Sequence, residues 1–225
     1  MASYRIDGTT MLFGLNFNEE LSIKTLEDME NVNKIIFGKL FNRGVNNLPN
    51  SIKKIKFGFS FNQPLDNLPP NLEEINFGGT FNQDVHNLPS TLLKINFGWE
   101  FNKRIDNLPN FLHTLEFSSC CMFNQPIDYL PTSLKVLKLG NFFNQSVNNL
   151  PNKLEIITFG NAFNQNIDNL PDSIRIIEFH MCENICDFDE KISKLPTSLN
   201  VIIIPRIFKV EIPIEYQEKI KKYYK

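Results

Sequence analysis

The side chains best suited to metal or redox chemistry are the adjacent pair Cys120-Cys121 and the spaced pair Cys182 and Cys186. Zinc would need such thiolates converging at about 2.3 Å from one ion. Four cysteines in 225 residues are no disulfide scaffold. The imidazoles for acid–base work are His86, His113 and His180, and none has a partner at a catalytic spacing. Asp and Glu are scattered over variable positions. Gly residues stand singly, without the clustering of a phosphate-binding loop. A more ordered set of polar groups is the amides of Asn18, Asn42, Asn62, Asn82, Asn102, Asn124, Asn144 and Asn164, each directly after a Phe. An amide offers both a donor and an acceptor, so such a series can satisfy turn backbone and form a ladder. A polar ligand-binding stripe is the functional alternative.

The regularity of the amides belongs to a larger repeat. Leu-Pro recurs at Leu48, Leu68, Leu88, Leu108, Leu130, Leu150, Leu170 and Leu195, with spacings of 20, 20, 20, 22, 20, 20 and 25 residues. One Phe column runs through Phe13, Phe37, Phe57, Phe77, Phe97, Phe117, Phe159 and Phe179, with Leu139 in place of Phe once. A second runs through Phe17, Phe41, Phe61, Phe81, Phe101, Phe123, Phe143 and Phe163. Together they hold 16 of the 21 Phe. Gly follows the first column at seven positions, Gly14 to Gly160.

Each unit contains an I/L-x-x-I/L-x-F stretch, such as Ile52, Ile55 and Phe57, whose last two apolar residues have strand periodicity. The stretch is similar to the strand of a leucine-rich repeat. Stacked units make one parallel sheet of about ten short strands, advancing about 4.8 Å per turn. Gly lets the chain leave the strand where a Cβ would hinder it. The FNQPLDN-type remainder is too short for an α-helix, which predicts an outer wall of extended or 3-10 turns. The expected architecture is a single β-rich solenoid over 1–225. Residues 1–31 are N-terminal capping turns, 32–205 are repeats and 206–225 are a C-terminal cap with a short helix. Lys24 to Glu30 allows one further helical turn.

The stacking also bears on the thiols. Cys120 and Cys182 share a column three turns apart, about 14 Å at one strand spacing per turn, too far for one ion. The sequence therefore predicts no metal site, no cofactor and no catalytic residue. A net charge of −2 gives no global field for nucleic acid or anionic membrane. Mean hydropathy is −0.22 and no apolar run approaches 18 residues, which argues against a membrane span. The N-terminus has no apolar signal core, so the expected location is intracellular and cytoplasmic, the host cytoplasm if the protein is viral.

Two surface features remain. On the strands, the residue before the second apolar position faces outward, and this column reads Lys34, Lys54, Glu74, Lys94, Thr114, Val136, Ile156, Ile176 and Val201. It is polar before Val136 and apolar from there on. Strand propensity together with AT-rich codons is one explanation; a partner-binding patch is the other. The second feature is the rim after the Gly, where Phe59 and Trp99 share a column and Phe142 sits one column over. Exposed aromatics favour hot spots, whereas packing on a neighbouring loop is the plainer reading.

The tetrads Phe61-Asn-Gln-Pro64, Phe81-Asn-Gln-Asp84, Phe101-Asn-Lys-Arg104, Phe123-Asn-Gln-Pro126, Phe143-Asn-Gln-Ser146 and Phe163-Asn-Gln-Asn166, with L-P-x-x-L-x-x-L-x-F-G, resemble the FNIP repeat family. The resemblance implies a leucine-rich-repeat-like fold and an origin in social amoebae or large DNA viruses of amoebae. Some members carry an N-terminal F-box that recruits substrates to a ubiquitin ligase. Here the array begins within about a dozen residues, so no F-box is expected. The 20-residue period also departs from the family's usual 22. The function expected is a non-enzymatic scaffold that binds a protein partner through the sheet face, with no nucleic acid or membrane partner and a monomeric state. The alternative is a structural protein self-associating end to end, as in a viral particle.

Overall fold

The computed structural model describes residues 4–180 and 187–222. Twelve strands form one sheet in strict sequence order. They are β1 (Tyr4–Asp7), β2 (Thr10–Phe13), β3 (Lys34–Ile36), β4 (Lys54–Lys56), β5 (Glu74–Asn76), β6 (Lys94–Phe97), β7 (Thr114–Phe117), β8 (Val136–Lys138), β9 (Ile156–Phe159), β10 (Ile176–Phe179), β11 (Val201–Ile204) and β12 (Ile220–Lys222). From β2 to β12 every pairing is parallel. The ten repeat strands are β2 to β11. Two more come from the ends: β1 pairs antiparallel with β2 around Gly8, at φ +58, and β12 pairs with β11.

The repeat consensus explains each corner of the turn. In Leu-Pro-x-x-L the Pro carbonyl accepts the N–H of the apolar residue three on, as in Ile52 to Pro49 (3.1 Å) and Leu112 to Pro109 (3.0 Å). That turn delivers the chain to the strand. At the other end the second Phe donates to the Gly carbonyl, as in Phe41 to Gly38 (3.3 Å). Between them the wall is turns and extended chain. The expected helical turn after Lys24 is α1 (Ile23–Glu27), whose Ser22 Oγ accepts from Thr25 N–H at 3.1 Å. The expected helix in the tail is instead a 3-10 helix, Ile214–Lys219, which leads into β12. None of its six residues is fully buried and only Tyr216 packs against the core, too little apolar contact to stabilise an α-helix.

Glycine after the first Phe has a reason other than chain direction. An added Cβ on Gly58 would lie 1.9 Å from the Gly38 carbonyl oxygen, and on Gly78 1.7 Å from that of Gly58. Only a residue without a side chain lets consecutive turns approach this closely.

Both Phe columns are buried. Within a turn the two rings lie face to face, 3.7 Å apart for Phe57–Phe61 and 4.0 Å for Phe159–Phe163. Between turns the second column repeats at 6.0–6.3 Å from Phe61 to Phe163. The stack then continues through Phe188 at 6.1 Å and Phe208 at 5.8 Å, which the 25-residue unit hides from a periodicity search. In that unit Asp168 Oδ1 accepts the N–H groups of Ser193 and Lys194 at 2.8 and 3.1 Å. Partial burial pushes the Asp168 carboxyl up, but these bonds outweigh it and hold the group below its ordinary range.

A candidate interaction face

The asparagine series is structural. Each Oδ1 accepts the backbone N–H of the next turn's Asn, from Asn18–Asn42 to Asn144–Asn164, at 2.9–3.0 Å. Asp189 N–H continues the ladder onto Asn164 at 3.0 Å. Gln63, Gln83, Gln125, Gln145 and Gln165 donate from Nε2 to the same Oδ1 atoms. That second layer was not anticipated, although the Phe-Asn-Gln spelling signals it.

The two described thiols are placed differently. Cys121 is buried, its Sγ lies 3.5 Å from the Phe101 carbonyl, and burial pushes its pKa up to about 12. Such a thiol is held away from the thiolate that reactivity needs. Cys120 is exposed. Cys182 and Cys186 lie outside the described residues. His113 lines a surface cleft of about 650 Å³ with Leu93, Phe111 and the Lys53–Glu73 ion pair. Leu93 and Phe111 occupy variable positions of the repeat, so only their apolar character marked this cleft.

On the sheet face, strand pairing aligns the outward column residue by residue. Lys34, Lys54, Glu74, Lys94 and Thr114 are consecutive cross-strand neighbours, followed by Val136, Ile156, Ile176 and Val201. The four apolar residues are half-buried, while the strand residues after them, Leu137, Ile157, Ile177 and Ile202, are at most 0% exposed. Ile203, two residues beyond Val201, faces the same way. In the polar half Lys54 Nζ lies 3.0 Å from Glu74. At the boundary between halves Glu116 is held by Lys94 at 2.8 Å and Lys138 at 3.0 Å. Partial burial pushes the Glu116 carboxyl up, and the two lysines overcome it and hold the group below its ordinary range.

The aromatic rim is also assembled. Phe59 and Trp99, 39% and 51% exposed, meet edge to face at 5.7 Å between centroids. They meet because Gly79 stands between them: a Cβ there would strike the Phe59 ring at 2.4 Å. Lys39 Nζ lies 5.9 Å from the Phe59 ring centroid. Phe142 is exposed as well.

One short strand per turn, a parallel sheet in sequence order and a stacked apolar interior define a leucine-rich-repeat-like solenoid. The FNIP Repeat family profile matches residues 43–80, 61–98, 123–162 and 143–182, together just over half of the chain. The chain belongs to the FNIP repeat family. It is also similar to the crystal structure of CroV588, described as a novel circular LRR protein, with a TM-score of 0.51 and 28% identity over 93% of this chain. The chain spans 42% of that protein's length. No curated protein matches it. No helix among the described residues is long and apolar enough to cross a membrane.

Proposed function

We propose that this solenoid is a non-enzymatic scaffold whose protein partner docks on the sheet face at Val136, Ile156, Ile176 and Val201. The observation that supports it is the register. Four β-branched apolar side chains stand in line on adjacent strands, partly exposed, where the preceding turns carry charge. At most about a third of each side chain remains exposed, so completing their burial supplies about 0.5–1 kcal/mol each at most. That total falls short of the roughly 4–15 kcal/mol that association costs. The partner therefore also engages surface beside the patch.

The test replaces Ile156 and Ile176 together by Lys. Outward positions of this kind shift stability by about 0.5 kcal/mol each, so the variant folds. Proteins retained from host lysate by the wild-type chain are lost with the variant. Retention of the same set by both chains assigns the apolar column to strand propensity alone.

A further inference from the structure

The sheet face is polarised in charge as well as hydropathy. On β3 to β6 the outward positions carry Lys34, Lys54, Lys56 and Lys94 against Glu74 alone, within a chain of net charge −2. Glu74 pairs with Lys54, and Lys94 is committed to Glu116. Among the described residues Lys34 and Lys56 are in no ion pair. On β8 to β11 Lys138 pairs with Glu116, and Glu178, in no ion pair among the described residues, accepts from the Thr158 hydroxyl at 3.3 Å. Besides Lys138 and Glu178, that half presents Val136, Ile156, Ile176, Val201 and Ile203.

Resting on the sheet-face reading above, we infer that the partner is a bipartite polypeptide segment lying across the strands, acidic over Lys34 and Lys56 and aliphatic over Ile156 and Ile176. Charge complementarity selects the acidic end, and the partly exposed β-branched column selects the aliphatic one. The spacing follows from the sheet. From β4 to β9 is five strand steps, about 24 Å, which an extended chain covers in about seven residues. A nucleic acid would satisfy the lysines and leave the aliphatic half without a role.

The probes are random 16-residue peptides displayed on phage, selected on the full chain at low salt, then synthesised and measured by fluorescence anisotropy. Selected peptides carry an Asp/Glu block separated from a Val/Ile/Leu block. Lys34→Glu with Lys56→Glu weakens them about tenfold at 0.05 M salt, and the loss shrinks at 0.5 M as screening shortens the range of the charges. Ile156→Lys with Ile176→Lys weakens them at either salt concentration. Circular dichroism melts establish that each variant is folded; should the Lys pair not fold, Ile156→Thr with Ile176→Thr serves instead. Peptides sensitive to the isoleucines and indifferent to the lysines overturn the acidic end while leaving the sheet-face reading standing. Indifference to both pairs, or failure to enrich any bipartite class, overturns the proposal and counts against the docking face. Displacement of the peptides by oligodeoxythymidine, with its own binding dependent on the lysines alone, also overturns the proposal and assigns the basic half to nucleic acid.

Discussion

Strands β4 and β9 are the same structural unit with different outward surfaces. Inside, Ile55 and Ile157 are both buried, each beside a stacked Phe pair, Phe57–Phe61 or Phe159–Phe163. On the wall behind, Asn62 and Asn164 donate from their backbone N–H groups to the preceding Asn at 2.9 Å. Outside, β4 presents Lys54 and Lys56, and β9 presents Ile156 and a buried Thr158. The fold constrains one set of positions through stacking and leaves the other free. A variable face on an invariant interior is what a binding scaffold requires.

If the two halves share one interior, the same truncation costs the same in each. Phe61→Ala and Phe163→Ala each remove a fully buried ring stacked on both sides. Each destabilises by about 3–5 kcal/mol in urea denaturation. A much smaller loss for Phe163→Ala would show that the halves are packed unequally.

Glycine sharpens the comparison at the next level of effect. An added methyl at Gly78 meets a carbonyl oxygen at 1.7 Å, at Gly160 at 2.3 Å and at Gly140 at 2.9 Å. Gly140 follows the 22-residue unit, where Ser118 stands in the glycine column and the turns approach less closely. Thermal melts of the alanine variants therefore rank Gly78 as most costly and Gly140 as least. The first reaches about 3 kcal/mol, the upper part of the range for overpacking. Equal losses at all three would mean that the backbone yields freely and that close approach is not what selects glycine.

These interior features were legible because a stacked core must repeat its residues wherever it repeats its geometry. The Phe and Asn columns, the parallel strands and the outward column can be read from spacing alone. Phe188 and Phe208 escaped because a ring can occupy the stack from a loop of different length, so spatial period and sequence period part. The glycine column was visible, but its cause, a carbonyl of the preceding turn, is a contact between turns. The same holds for the face. The switch at Val136 is written in the sequence, whereas the Gly79 gap that brings Phe59 to Trp99 depends on which side chains lean across a turn. Glu116 is the clearest case: its two lysines lie on β6 and β8, and only the register of three strands makes them its partners.

Glu116 marks the seam between the two halves and supports the smallest of these predictions. Lys94 and Lys138 hold its carboxyl below the ordinary value of 4.5 despite partial burial. A group whose folded pKa is depressed contributes stability that is present above its unfolded pKa. That contribution is lost as the pH falls through the folded value. At pH 7 the Glu116→Gln variant therefore melts slightly below the wild-type chain, since the exposed lysines of the triad are screened by solvent. From about pH 4.5 downward the wild-type chain loses this advantage through protonation, and the two melting temperatures converge. Raising the salt concentration at pH 7 narrows the same gap. A gap unchanged from pH 7 to pH 3 would mean that the carboxylate contributes by packing. The boundary between the charged and apolar halves would then be set by shape and not by charge.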